Sequence, residues 1–260
     1  MPADTDPAQT PAAPAAPLVR TVGDRRTLEF VPGDIQSEML LSRPDALVLD
    51  YARAMMCFAL FVPRPRHIVM VGLGGGSFVK FCYRYFPAAR ITVFEISAAV
   101  IALREQFQVP PDDARLRIVH GDAADFIAAT PASADVILVD GFDAAGMPPA
   151  LGSAAFYGAC RQALREGGVL VANLLSYDPQ YAALRARIDT GFGGRVCEFH
   201  GIAGNNHILF ALRASAAPWA APACHAARHA RLARTRGLHF AVLNRLLARA
   251  VLAWLTRRPV

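Results

Sequence analysis

The chain has 260 residues, 54% of them hydrophobic, and 27 basic against 21 acidic side chains give it a formal charge of +6; that is enough for one ordinary domain with a large core plus appendages. Nine arginines and no acid lie between Arg213 and Val260, which leaves residues 1–212 at −3, so the basic surplus sits outside the body and no nucleic-acid partner is expected. Five cysteines without C-x-x-C spacing, and a start lacking the basic and apolar regions of a secretion signal, argue against a disulfide framework or a metal site and point to a reducing cytoplasm.

Residues 1–20 open on an Ala- and Pro-rich stretch that cannot bury a core and read as a disordered leader. Residues 21–62 form a short N-terminal region. In it, Thr27 to Val31 and Ile35 to Leu40 alternate around Pro32-Gly33-Asp34 as a hairpin, and Pro44 to Phe61 reads as a helix with Leu47, Tyr51, Ala54, Met55 and Phe58 on one face.

Between residues 63 and 213, strands are expected at His67 to Gly72, Arg90 to Glu95, Arg115 to His120, Ala134 to Asp140 and Val169 to Leu174. Helices fall between them at Phe78 to Tyr85, Ala98 to Phe107, Ala123 to Ala129 and Ala154 to Glu166. This alternation implies a parallel sheet with its ligand at the strands' C-terminal edge. Arg195 to Phe199 and His207 to Leu212, joined by a Gly- and Asn-rich connection, suit an antiparallel hairpin closing the sheet. The expected fold is therefore α/β: a Rossmann-like domain of the S-adenosylmethionine-dependent methyltransferase type, with a seven-stranded, mostly parallel sheet.

Residues 214–237 read as a linker and 238–260 as a basic amphipathic helix. There Leu238, Val242, Leu246, Val251 and Leu255 oppose Asn244, Arg245 and Arg249. The helix is too polar to span a bilayer and is expected to dock on the body, on a partner or on a membrane surface.

The candidate site is written at the strand ends. Gly72, Gly74, Gly75 and Gly76 follow the first strand of the sheet and let the backbone turn tightly near a ligand, at the start of the next helix. Glu95 ends the second strand, where an acid accepts hydrogen bonds from ribose hydroxyls. Asp122 follows the third strand and can accept from an exocyclic amine, or cap the helix at Ala123. Asp140 and Asp143 leave the fourth strand three residues apart, where they can hold a cationic substrate or take its proton, or satisfy turn amides.

These residues, over roughly positions 27 to 212, resemble the spermidine synthase (polyamine aminopropyltransferase) family. The Gly72–Gly76 loop is similar to the family's glycine–Asp–glycine loop, Glu95 to its ribose-binding acid, and Gly121-Asp122-Ala123 to its adenine-site motif. Asp140-Gly141-Phe142-Asp143 looks like its Asp-Ser-Ser/Thr-Asp motif, in which the first Asp is the base and the second helps bind the amine. Asp34-Ile35-Gln36 resembles the strand ending in the family's Gln, and Tyr51 its substrate-side tyrosine. Ala155-Phe156-Tyr157 and the run from Leu164 to Leu170 add to the likeness.

The resemblance implies transfer of an aminopropyl group from decarboxylated S-adenosylmethionine to a small-molecule amine, in polyamine biosynthesis and without a metal. It is compatible with a homodimer. The sequence departs from the family at Gly75, where the loop carries an Asp, at Ala52-Arg53, where it has His/Gln-Glu, and at Gly141-Phe142. Two other readings therefore stay open: a methyltransferase using intact S-adenosylmethionine, and a non-catalytic nucleoside-binding protein.

Overall fold

The computed structural model describes residues 16–142, 146–214 and 240–257. The described chain begins with a three-stranded antiparallel sheet in the order β1 (Leu18–Val22), β2 (Arg25–Glu29), β3 (Ile35–Leu40). The expected hairpin is therefore one strand larger, and β1 begins inside the segment read as a leader, whose residues up to 15 fall outside the described ones. The turn at residues 30–34 closes with Asp34 N–H on the Val31 carbonyl, 2.9 Å.

The helix expected over Pro44 to Phe61 is shorter and of two kinds: α1 (Asp50–Met55) runs into a 3-10 turn at Met56–Leu60. Residues before it are drawn aside, because Asp45 accepts from the Tyr85 hydroxyl at 3.1 Å and pairs with Arg84. Met55 to Ala59 are buried on every side, so the stretch has no polar face on which to run as a longer amphipathic helix.

Next come β4 (His67–Val71), α2 (Ser77–Tyr85), β5 (Arg90–Glu95), α3 (Ala98–Ala102), β6 (Leu116–His120), α4 (Ala123–Ala128), β7 (Ala134–Val139), α5 (Ala154–Ala163) and β8 (Leu164–Leu175). The five strands are parallel, in the order β6-β5-β4-β7-β8. Side-chain oxygens of Ser97, Asp122 and Ser153 cap α3, α4 and α5 on their first-turn amides.

The helix expected from Ala98 to Phe107 stops at Ala102 and continues as turns; the buried Lys80 ammonium takes the Phe107 carbonyl at 2.6 Å, and Gln108 has a φ of +53°. The strand expected from Val169 begins earlier, at Leu164, with a register irregularity against β7 between Leu164 and Val169. That boundary also shortens α5, expected to reach Glu166.

A helix absent from the expected set, α6 (Tyr181–Gly191), precedes β9 (Val196–Ala203) and β10 (Asn206–Leu212). Only Leu184 and Ile188 are buried in it, an apolar stripe too narrow to stand out in the sequence. β10 runs antiparallel to both β8 and β9 and completes the seven-stranded mixed sheet. The fold is thus the α/β architecture expected.

Successive residues of β4 feed the two faces of the sheet. Ile68 and Met70 join the core built with α1, α2 and α3, while Val69 and Val71 join the one built with α4, α5 and α6. At the opposite end from the candidate site, Asp135 accepts the backbone N–H groups of Arg66 and His67, at 2.8 and 2.9 Å, and anchors the start of β4.

The C-terminal helix, Phe240–Thr256, packs against α1, the 3-10 turn and β9. Ala248, Val251 and Leu255 are buried, whereas Leu246, expected on the apolar face, is 56% exposed and sits on the other side. The apolar stripe is covered by the chain's own body, the first of the three docking surfaces expected for it. Leu238 and the linker residues from 215 to 237 fall outside the described residues. Among the described residues no helix is long and apolar enough to cross a membrane.

Candidate functional site

The C-terminal ends of the parallel strands open into a cleft of about 670 Å³, roofed on one side by β3 and α1. Gly72, Gly74, Glu95, Asp122, Ala123, Asp140, Gln36 and Tyr51 all line it. Gly75 and Gly76 do not. Asp143 lies outside the described residues.

The glycines divide by task. Gly72 has a φ of +94°, and a Cβ there would stand 2.6 Å from the Asp140 carbonyl oxygen, so the ends of β4 and β7 approach as closely as glycine allows. Gly76 precedes α2 with a φ of +64° and packs against Val109. A Cβ on Gly75 would meet Ser37 Oγ at 2.7 Å and the Phe107 ring at 2.9 Å. The position at which the family keeps an acid is therefore filled by neighbours, and Ser37 Oγ instead faces Ser77 Oγ at 3.4 Å. Beneath the loop, the Lys80 ammonium donates to the Gly75 carbonyl at 3.0 Å and to the Phe107 carbonyl; burial pulls its pKa down to about 7.

On the nucleoside side, Glu95 is held from two directions. Its Oε2 accepts the Leu73 N–H and its Oε1 the Ser97 N–H, both at 2.8 Å, which fixes the carboxylate at the end of β5 with lone pairs to spare. Asp122 caps α4 through Oδ1, accepting from Ala124 N–H at 2.9 Å, and still faces the cleft. Capping and lining are thus compatible in this residue. Phe94, Ile96 and Val100 add an apolar wall fit for a planar base.

On the other side of the loop stands Asp140. Its Oδ1 accepts from Asn173 Nδ2 at 2.9 Å and its Oδ2 from the Tyr51 hydroxyl at 3.2 Å. Burial raises its pKa, and those two hydrogen bonds offset the effect only in part. The same burial, reinforced by the Asp140 charge, pushes the Tyr51 phenol well above its ordinary range, so Tyr51 stays a donor. Gln36 donates to Asp34 at 2.9 Å on the cleft rim, and its backbone carbonyl lies 3.5 Å from the Tyr51 hydroxyl.

Arg53, whose charge the sequence puts next to this site, turns away. It bonds the Leu47 carbonyl at 2.8 Å and Asp50 at 2.6 Å, and it is absent from the lining. Sequence reasoning missed Glu38, which lines the cleft while paired with Arg25, and Asp34 as an acid in its own right. It also missed Asn173, although a lone amide in the apolar run of β8 was a legible signal. Among the described lining residues there are five carboxylates, Asp34, Glu38, Glu95, Asp122 and Asp140, and no Arg, Lys or His. Such a lining favours a cation and gives a buried base a partner from which to take a proton.

Comparison with known proteins agrees with this chemistry. The spermine/spermidine synthase domain model matches residues 49–179. The polyamine aminopropyltransferase of Chromobacterium violaceum is 40% identical over 208 residues, 79% of this chain and 80% of that protein. The one from Neisseria meningitidis serogroup A is 38% identical over 195 residues, 74% of each. Among solved structures, a probable spermidine synthase from Corynebacterium glutamicum superposes with a TM-score of 0.67 at 24% identity, covering 81% of both chains. Human methyltransferase-like protein 13 shares the fold with a TM-score of 0.53 at 22% identity, covering 81% of this chain and 91% of its own. Those two likenesses speak for the fold alone. From the domain match and the length and identity of the sequence relatives, the chain belongs to the spermine/spermidine synthase family.

Proposed function

We propose that the protein transfers the aminopropyl group of decarboxylated S-adenosylmethionine to an amine. The observation that carries this reading is the acid-lined cleft, with no basic side chain among its described lining residues and Asp140 half-buried at its floor. The relatives, named for aminopropyl transfer over most of their length, support it.

In this reading Glu95 receives the ribose hydroxyls, Asp122 the adenine amine, and the turn at Gly72 and Gly74 lets the backbone approach the adenosyl group. Gln36 lies on the rim beside the donor. The acceptor arrives as an ammonium drawn by the carboxylates, and Asp143 is proposed to assist in binding it. Asp140, whose proton affinity is raised by burial, takes one proton from the attacking nitrogen, and Tyr51 holds the carboxylate in place as it does so. The freed lone pair forms a C–N bond at the aminopropyl carbon next to the sulfonium. The C–S bond breaks with its electron pair going to sulfur, and methylthioadenosine leaves. Holding both reactants in line supplies much of the remaining acceleration.

Purified protein given decarboxylated S-adenosylmethionine and a series of diamines is expected to release methylthioadenosine; no release with any of them overturns the reading. One observation favours methyl transfer from the intact donor instead. The family's loop acid has no counterpart here, since Ser37 and Phe107 fill the space beside Gly75. Calorimetry with both donors decides, tighter binding of the intact one speaking for methyl transfer.

A further inference from the structure

Among the buried polar atoms described, Asn173 Oδ1 is one of two with no hydrogen-bond partner, the other being the Tyr157 hydroxyl. Tyr157 lies in the core away from the cleft, but Asn173, 2% exposed, lines it beside Asp140. The orientation of its amide is set by chemistry: a carboxylate can only accept, so the nitrogen faces Asp140 Oδ1, at 2.9 Å, and the oxygen is turned elsewhere. β8 is otherwise apolar along its buried stretch, and across it β10 offers Ile208, which supplies no side-chain donor. A buried carbonyl left without a donor is unfavourable unless a ligand supplies one.

We propose that Asn173 is a substrate-contacting residue, whose Oδ1 accepts one N–H of the acceptor's attacking ammonium while Asp140 accepts another. The inference rests on the amine-acceptor reading above and adds a selection rule to it. Two acceptors side by side require a nitrogen bearing at least two hydrogens in its ammonium form. Primary and secondary amines meet that requirement, and tertiary amines of the same charge do not. Held at two points, the nitrogen keeps its position when Asp140 takes its proton; with one acceptor it can turn from the donor carbon.

The test compares 1,4-diaminobutane with its N,N,N′,N′-tetramethyl analogue, by calorimetry on the full chain saturated with methylthioadenosine. The wild type is expected to prefer the diamine. Asn173→Leu, close in volume, should weaken the diamine by about tenfold or more and leave the tetramethyl analogue within about twofold, the size expected for a hydrogen bond to a charged group. Asn173→Asp keeps an acceptor in place, and the proton the two carboxyls share stands in for the amide donor toward Asp140. It should retain the preference for the diamine. If Asn173 merely supports Asp140 through Nδ2, the leucine variant weakens the diamine and the tetramethyl analogue alike, and the proposal falls while the amine-acceptor reading stands. If the wild type binds neither amine yet binds methylthioadenosine, both fall. Should the leucine variant not fold, Asn173→Ala takes its place, with the same two outcomes expected for the diamine and the tetramethyl analogue.

Discussion

Replacing Asp140 by Asn separates its chemistry from its packing. The side chain has one donor on each oxygen, Asn173 Nδ2 on Oδ1 and the Tyr51 hydroxyl on Oδ2. An amide fits both if its oxygen keeps Asn173 and its NH₂ faces Tyr51, because a hydroxyl can rotate to accept. The fold should therefore tolerate the change. Near neutral pH the variant should melt at or above the wild-type temperature, since the folded-state pKa of Asp140 lies above its ordinary 3.8. A carboxyl raised by folding makes the native state less stable as pH climbs from the unfolded pKa through the folded one, and the amide has no such loss. Catalysis should suffer, because the amide cannot take the proton. Loss of a general base lowers rate by about 10²–10⁴-fold, or roughly 3–5 kcal/mol in the barrier. The wild-type rate should also rise with pH through the elevated Asp140 pKa, a limb the variant lacks. The assay is methylthioadenosine release across pH, with methylthioadenosine binding measured in parallel. A variant keeping more than about a tenth of the wild-type rate, with the same acid limb, would refute a proton-accepting role.

Further outcomes follow from the packing. Gly72→Ala puts a methyl 2.6 Å from the Asp140 carbonyl at a φ of +94°; thermal denaturation should show a loss of about 2–4 kcal/mol. An unchanged melt would mean that β4 and β7 do not approach so closely. Lys80→Met removes a base whose folded pKa, about 7, lies below its unfolded 10.5. The unfolded chain binds the proton more tightly in that window, so the wild type should gain on the variant as pH rises from 7 to 8.5, by at most about 1.4 kcal/mol per unit. A flat difference in denaturant unfolding contradicts it. Leu255→Ala empties a fully buried position on the C-terminal helix and should cost about 2–4 kcal/mol, while Leu246→Ser, on its exposed side, should stay within about 0.5 kcal/mol. Equal melts would show the helix undocked. Arg53→Ala should leave KM for the amine within about twofold, since Arg53 bonds Asp50 and Leu47 and stays off the cleft; a fall of tenfold in KM would place its charge in the site.

Much of the sheet is legible because fully buried parallel strands write long apolar runs, and β4, β5 and β7 lie within a residue of where such runs predict them. The strand-end acids Glu95, Asp122 and Asp140 are legible for a related reason: topology alone sends the residue after each strand to one edge. What escaped depends on tertiary neighbours. α3 gives way to turns after Ala102, and a lysine two elements away takes the Phe107 carbonyl at the expected end of that helix. The alignment of glycines puts Gly75 in the site, yet only coordinates reveal that Ser37 and Phe107 occupy the space beside it. Arg53 reads as an intruding charge until its bonds to Asp50 and the Leu47 carbonyl turn it outward.

Lys80 is the chain's single lysine, and it is 4% exposed with its ammonium spent on carbonyls beneath the glycine loop. Every other basic side chain apart from histidine is a guanidinium, which acylating reagents directed at amines leave alone. Lysine modification is therefore confined to one atom, reachable only when the turn between β4 and α2 lifts away. The rate at which that atom is acylated reads the opening of the ligand-side backbone directly, and an occupied cleft should slow it in proportion to how firmly the bound molecule holds the loop shut.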